Sequence, residues 1–132
     1  ISCVNPLGKY TEIQNEAIRK YEIVVVNGSK CWKRTHAHCD GSRRVCKWKQ
    51  AESYASTFTL FHEIGHIEAN IKGMLRCEEE STATQWAIDR FREIGLPIKR
   101  RTLNAYKRYI TMTFNRGVRR GMKRRIKSTL LN

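Results

Sequence analysis

The order of apolar and polar residues predicts a small sheet near the start of the chain. A helix at about 7–20 leads into the Val-rich run 21–26, which is typical of a short buried strand that ends at an Asn-Gly turn. Alternating residues at 35–39 and at 44–49 flank an Asp-Gly turn, and this pattern predicts a β-hairpin.

The rest of the chain has helical periodicity. From Tyr54 to Phe61 there is no Gly or Pro, and apolar residues continue beyond it on more than half of the helix circumference, as in a helix packed inside a domain. Further helices are predicted at about 78–94, ended by Gly95, and at about 100–116. This order predicts an α+β fold with a small sheet beside the helix that begins near Tyr54.

The sequence His-Glu-Ile-Gly-His at 62–66 is the strongest chemical signal in the chain. His62 and His66 stand one helical turn apart, so both imidazoles point from one side of the helix and can hold one zinc ion. Glu63 lies about 100° further round the helix. There it can take a proton from an attacking water and pass it to a leaving amine, which predicts hydrolysis of a peptide bond. The same pentapeptide also occurs in ordinary helices that carry two partly exposed histidines.

A hydrolytic zinc ion usually takes three protein ligands, so a third must come from elsewhere in the chain. No histidine follows His66. The third ligand is therefore a carboxylate, a cysteine, or one of the upstream histidines His36 and His38.

Three consecutive glutamates open the helix predicted at about 78–94, and helical geometry separates their directions. Glu78 is expected to point to water. Glu80 shares a face with Ala83 and Ala87, which are small enough to let this helix approach the histidine helix. We therefore favour Glu80 as the third ligand, with Glu79 as the alternative.

Two motifs carry a resemblance to a known family. His62-Glu63-Ile64-Gly65-His66 is followed by Glu80-Ser81-Thr82-Ala83-Thr84-Gln85-Trp86-Ala87. The segment from Tyr54 to Trp86 resembles the ImmA/IrrE-type metallopeptidases, which are small bacterial and prophage-encoded zinc proteases. The downstream family pattern is Glu-x-Glu-Ala-x-x-aromatic-Ala, and Thr82 replaces its second glutamate. The resemblance implies that His62, His66 and Glu80 bind zinc and that Glu63 is the general base.

The resemblance also implies a fold and a substrate. It implies a small zincin-like domain with a short sheet packed on the HExxH helix and a helical C-terminal half. The implied substrate is a regulatory, repressor-like protein. In zincins the sheet edge beside the histidine helix holds an extended substrate, and the strand at 35–39 or at 44–49 is the candidate here. The donor to the reaction's oxyanion stays open among Tyr54, Tyr106 and the upstream histidines.

The length of 132 residues predicts one domain, which we place at 1–116, followed by a basic and helical C-terminal extension at 117–132. No stretch approaches a transmembrane span and no signal peptide is evident. We therefore expect a soluble, cytoplasmic protein that has no membrane partner.

The net charge of +14 is concentrated near the end of the sequence, since 12 of the 26 Lys and Arg residues lie in 99–132 and no Asp or Glu follows Glu93. A solvated face on a packed helix would account for part of this charge. Such a segment also attracts polyanions, which predicts contact with nucleic acid or an acidic protein. The predicted contact residues are Arg116, Arg119, Arg120, Lys123, Arg124 and Arg125.

The five cysteines are odd in number and irregularly spaced, which argues against a disulfide framework. Cys31, Cys39 and Cys46, with His36 and His38, have the ligand types for a second, structural zinc but lack the Cys-x-x-Cys spacing. Reduced thiols or a redox-sensitive Cys39–Cys46 pair are the alternatives.

A second function fits the same residues. The chain would then be a non-catalytic module in which zinc only holds two helices together, while the basic C-terminal segment binds DNA or an acidic protein. A coordination position open to solvent distinguishes the enzyme from the module.

Overall fold

A computed structural model of the chain describes residues 8–26, 37–40 and 44–121, with backbone only for 37–40. The described part is α+β, as predicted, and mostly helical. Its elements in chain order are α1 Lys9–Lys20, β1 Val24–Val26, β2 Ala37–Asp40, β3 Val45–Trp48, α2 Tyr54–Glu68, α3 Arg76–Ile94 and α4 Arg100–Arg119.

The three strands form one mixed sheet in the order β1-β3-β2. β2 and β3 make the predicted antiparallel hairpin, in which Cys39 lies opposite Cys46. β1 pairs with β3 in parallel, and it is shorter than predicted. The cause is the end of α1: the N–H of Tyr21 bonds to the carbonyl of Ala17, and Glu22 takes a positive φ of 53°. Both residues therefore belong to a turn.

The strand order shows which of the two strands considered for substrate binding lies at an edge of the sheet. β3, within 44–49, is paired on both sides and offers no edge. β2, within 35–39 and its neighbour Asp40, pairs with β3 on one side and contacts α2. Among the described residues, β2 is therefore the edge strand beside the histidine helix, and β3 is not an edge.

α2 lies at the centre of the core and carries the His-Glu-Ile-Gly-His sequence. It begins at Ser53, whose hydroxyl accepts the N–H of Ser56 at 3.1 Å. Trp48 of β3 donates its indole N–H to the carbonyl of Ser56 at 3.0 Å, which fastens the sheet to the start of the helix. Most apolar side chains of α2 are buried, including Phe58, Leu60, Phe61 and Ile64.

Glu68 projects from the apolar side of α2, which looks unfavourable from the sequence. In the structure it is near the end of the helix and forms an ion pair with Arg44. Arg44 also donates to the carbonyl of Tyr21 at 2.6 Å. The glutamate therefore helps to join α2 to the turn between α1 and β1.

α3 begins at Arg76, two residues earlier than predicted, and ends at Gly95, whose φ of 89° closes the helix. The earlier start changes the role of Glu78. Its carboxylate accepts the N–H of Leu75 at 3.0 Å, and the residue is only 7 % exposed. The prediction that Glu78 points to water is wrong because the side chain turns back to cap its own helix.

α4 packs on the core through one face, as predicted, with Ile110 and Thr113 buried and Leu103 and Tyr106 partly buried. It continues past residue 116 to Arg119. The predicted extension at 117–132 therefore begins as part of this helix, and its residues from 122 onward lie outside the described structure. No helix among the described residues is long and apolar enough to cross a membrane.

Candidate metal centre

The two histidines of α2 meet as their spacing predicts. Their ring centroids are 4.8 Å apart and their Nε2 atoms are 3.2 Å apart. His62 is 4 % exposed, and the side chain of His66 is 11 % exposed. The pair therefore lies at the edge of the core, where one nitrogen of each ring faces the other.

Glu80 brings a carboxylate oxygen from α3 to the same point. Its Oε2 lies 2.9 Å from Nε2 of His62 and 3.3 Å from Nε2 of His66. The residue is 2 % exposed. Glu79 is only partly buried, and among the described residues no hydrogen bond or ion pair joins it to either ring. The structure therefore brings together the favoured set of His62, His66 and Glu80.

α3 reaches this position because α2 has a glycine where the helices cross. A Cβ on Gly65 would come within 2.7 Å of the carbonyl oxygen of Ala83 and 3.1 Å of its Cα. Both Ala83 and Ala87 are completely buried. The close approach inferred from the two alanines is therefore completed by the fourth residue of the motif.

Thr84 fixes the orientation of the His62 ring. Its Oγ1 donates to the carbonyl of Glu80 at 2.8 Å and lies 3.0 Å from Nδ1 of His62. A hydroxyl has one proton, so toward His62 it acts as the acceptor and Nδ1 carries the hydrogen. In the neutral form of His62 this tautomer leaves the lone pair of Nε2 directed at Glu80 and His66, as metal-binding imidazoles require. In the protonated imidazolium, Nε2 instead donates to Glu80.

The second oxygen of Glu80 is held from outside the core. Oε1 accepts from Arg76 at 3.1 Å, one helical turn earlier on α3. Arg76 is in turn hydrogen-bonded to the side chain of Tyr109 on α4. The carboxylate therefore has one oxygen for the guanidinium and the other for the imidazole pair.

The electrostatics of the cluster keep Glu80 ionised. Burial alone raises the pKa of this carboxyl, but hydrogen bonds from His62 and His66 and their charges hold its pKa far below the usual range. For His66, burial lowers the pKa, yet the hydrogen bond to Glu80 and the charges of Glu80 and Glu63 raise it overall. A positive charge between these atoms is thus favoured.

The distances between the three donor atoms are close to those in a tetrahedral metal site. Two nitrogens and one oxygen form a triangle with sides of 2.9, 3.2 and 3.3 Å. A tetrahedral site with metal–ligand bonds of about 2.0–2.1 Å has edges of about 3.3–3.4 Å. Three lone-pair atoms this close repel one another unless protons or a cation lie between them. The residues present therefore fit a small divalent cation, and imidazole with carboxylate is a common ligand set for zinc.

Glu63 lies beside this triangle and not at one of its corners. It is half-buried, and its carboxylate belongs to a group with His62 and His66 whose ligand atoms lie within 4.8 Å of one another. Burial and then the charge of Glu63 raise the pKa of Cys46, in β3, to about 12.

Of the side chains considered as oxyanion donors, Tyr54 is already engaged. Its hydroxyl donates to the carbonyl of Pro97 at 2.7 Å and accepts the N–H of Lys99 at 3.0 Å. Tyr54 is therefore removed from the candidates. The two upstream histidines cannot be placed at the site, because His36 and the side chain of His38 lie outside the described structure.

Tyr106 is in contact with the site. Its ring packs on His62 with centroids 4.8 Å apart. Burial raises its pKa to about 12, although the nearby side chain of Thr59 lowers it. At neutral pH the Tyr106 hydroxyl is therefore protonated, and an uncharged ring packs against the imidazole of His62.

The remaining predicted residues lie elsewhere. Arg116, Arg119 and Arg120 are exposed on or just after α4. Lys123, Arg124 and Arg125 fall outside the described residues, as do Cys31 and the side chain of Cys39, so the second metal site and the Cys39–Cys46 redox pair stay predictions.

Sequence reasoning missed three residues that shape the centre, namely Gly65 as a packing residue, Arg76 and Thr84. A glycine inside a helix and a threonine on an otherwise small apolar face were the available signals. Arg76 lay outside the predicted helix, so its one-turn relation to Glu80 was hidden.

Comparison with protein-family models, with curated proteins and with solved structures found no match to this chain. The functional interpretation therefore depends on the geometry of the site, and the resemblance to the ImmA/IrrE-type metallopeptidases stays a prediction.

Proposed function

We propose that this chain is a zinc-dependent peptidase of the ImmA/IrrE-like, zincin type. One observation carries the proposal: Nε2 of His62, Nε2 of His66 and Oε2 of Glu80 converge within 3.3 Å of one another. A second carboxylate, that of Glu63, stands beside them without completing the triangle. Ligands for a metal together with an adjacent general base are the parts that metal-assisted hydrolysis needs.

Neighbouring side chains fix the tautomer of His62 and balance the charge of Glu80. Thr84 accepts the Nδ1 proton of His62, and Arg76 neutralises part of the charge on Glu80. A zinc ion bound here would polarise the scissile carbonyl and acidify an attacking water. Glu63 would accept the proton of that water at its carboxylate and return it to the leaving amine.

A pair of histidines with one carboxylate also serves iron(II) oxygenases, so the ligands alone do not choose the chemistry. The additional carboxylate of Glu63 favours hydrolysis, because it supplies a proton acceptor within the same group of side chains. Metal analysis of the purified protein distinguishes a zinc hydrolase from an iron(II) oxygenase.

The substrate in this proposal is a peptide segment of a regulatory, repressor-like protein. An extended segment would lie along the edge of β2, the strand that contacts the histidine helix. A cytoplasmic location belongs to the same proposal.

The experiment compares wild type with Glu63→Gln on a library of proteome-derived peptides, followed by mass spectrometry. The substitution keeps the shape of the side chain and removes its basicity. We expect Glu63→Gln to retain one zinc per chain and to lose cleavage by at least about a thousandfold, since the base takes part in both proton transfers. Cleavage at the wild-type rate by this variant would contradict the mechanism. A zinc-bound wild-type protein that is inert toward both the library and candidate repressors would indicate the non-catalytic module instead.

A further inference from the structure

The outer face of α4 carries a line of basic side chains. At 100° per residue, Arg101, Arg108 and Arg119 fall within about 20° of one another, opposite the face that holds Tyr106 and Ile110. All three arginines are exposed. They extend over about 27 Å of helix at 1.5 Å per residue. We call this set the outer basic face.

Nothing in the described structure neutralises this face. No Asp or Glu follows Glu93 in the sequence, and no basic residue of α4 takes part in an ion pair within residues 8–26 and 44–121. Arg100 and Arg101 occupy the first turn, where the helix dipole disfavours positive charge. Arg116 and Arg120 stand four residues apart and repel each other. The charges of the first turn therefore weaken the isolated helix, whereas the dipole favours Arg116 and Arg119 in the last turn. A bound polyanion would relieve the cost at the first turn and between the like charges.

The residues between the arginines favour a nucleic acid over an acidic protein. Asn104, Thr111 and Asn115 lie on the same side of α4, where the exposed large apolar residues are Tyr109, Met112 and Val118. Polar side chains of this kind hydrogen-bond to phosphate and sugar. A protein interface usually needs an apolar, aromatic-rich centre, whereas on this side of the helix the three arginines and three polar residues outnumber the three apolar ones.

We propose that the outer basic face of α4 docks the sugar-phosphate backbone of a nucleic-acid duplex without reading its sequence. A duplex presents one negative charge per about 1.7 Å of its axis, so a straight row of cations about 27 Å long meets phosphates along its whole length. The proposal does not depend on peptidase activity.

The outer basic face and the metal centre lie on different sides of α4. The inner side of the same helix contacts that centre, since the ring of Tyr106 packs on His62. A docked duplex and the proposed metal ligands would thus be held by opposite sides of one helix.

The test measures binding of the full, zinc-loaded chain to fluorescent duplexes by anisotropy. One variant combines Arg101→Gln, Arg108→Gln and Arg119→Gln. The matched control combines Lys49→Gln, Lys72→Gln and Arg92→Gln, which removes the same charge from exposed positions outside α4. Neither set includes a residue of the metal centre. Equal zinc content and equal circular dichroism of the two variants establish that both are folded.

We expect the α4 variant to bind a DNA duplex of about 20 base pairs at least tenfold more weakly, and the control to stay within about twofold, at about 100 mM salt. The slope of log K against log salt should become shallower by about 2–3 in the α4 variant only. An RNA duplex of the same length should behave like DNA if the backbone alone is recognised. A preference for one of the two duplexes would overturn the claim of recognition through the shared backbone.

Three results would overturn the proposal as a whole. The first is equal weakening by both variants, which would indicate a general effect of net charge. The second is wild-type binding that survives loss of the three arginines, which would assign it to the sequence after α4. The third is tighter binding of a polyglutamate peptide than of either duplex, which would indicate an acidic protein partner.

Discussion

Gly65 lies directly against the backbone of Ala83, and this contact sets the distance between α2 and α3. A Cβ added at residue 65 would meet the Ala83 carbonyl oxygen at 2.7 Å. The opposing atoms are backbone, so the neighbour cannot yield without moving the helix. Since Glu80 lies one turn before Ala83 on α3, the same contact sets how closely its carboxylate approaches the imidazoles.

Gly65→Ala should therefore harm both folding and metal binding. We expect a loss of about 1–3 kcal/mol in the free energy of unfolding, as for overpacked cores. Zinc affinity should fall at least tenfold because α3 must move away. Urea unfolding and competition with a chromogenic chelator measure the two effects. Ala55→Ser, at an exposed position of α2, should change the free energy of unfolding by no more than about 0.5 kcal/mol. Unchanged zinc affinity in Gly65→Ala would show that the helix spacing does not govern the site.

Substitutions of the neighbouring residues Glu79 and Glu80 should have different effects on zinc affinity. Glu80→Gln removes the oxygen that contacts both rings, so zinc affinity should fall about a hundredfold or more. Glu79→Gln, one residue earlier and partly buried, should stay within about threefold of wild type. Chelator competition measures both variants under the same conditions. A larger loss in Glu79→Gln than in Glu80→Gln would reverse the assignment of the third ligand.

Thr84 should act on the metal through His62. Thr84→Val keeps the shape of the side chain but removes the acceptor for the Nδ1 proton, which is 3.0 Å away. We expect zinc affinity to fall by about 10–100-fold, the usual cost of losing an outer hydrogen bond to a metal-binding histidine. Thr84→Ser restores the hydroxyl and should recover most of the affinity. If Ser and Val behave alike, the effect comes from packing and not from the hydrogen bond.

The metal-free protein should respond to pH in two directions. The lowered pKa of Glu80 stabilises the fold above the ordinary glutamate value of 4.5, and this stability is lost as pH falls toward the folded pKa. The raised pKa of His66 stabilises the fold below the ordinary histidine value of 6.5, and this stability is lost as pH rises through the folded pKa.

Unfolding measured with chelator present should therefore show stability decreasing as pH rises above 6.5. Excess zinc should reverse that trend, because metal binding requires deprotonated imidazoles. In Glu80→Gln the decrease without metal should disappear, since the partner that raises the pKa of His66 is gone. A metal-free wild type that gains stability over the same pH range would contradict the ion-pair account of the cluster.

Much of the fold follows from patterns in the sequence that depend on single elements. The hairpin register, with Cys39 opposite Cys46, follows from alternation around an Asp-Gly turn. Glu80 could be selected because helical phase places it with Ala83 and Ala87, two residues that permit close packing.

The errors came where local hydrogen bonds override helical phase. Glu78 was expected in water, yet it caps the first turn of α3, a role visible only once the helix is known to begin at Arg76. The order of the strands was also hidden, because the parallel pairing of β1 with β3 is a tertiary contact that alternation within a strand does not encode.

The most direct test of the central claim is an anomalous-diffraction map of the zinc-loaded wild-type crystal. We predict one ion within about 2.0–2.2 Å of Nε2 of His62, Nε2 of His66 and a carboxylate oxygen of Glu80. Glu63 should lie outside the coordination shell, and solvent should reach the remaining position. An ion enclosed by four protein ligands, or one bound away from these two histidines, would contradict the account.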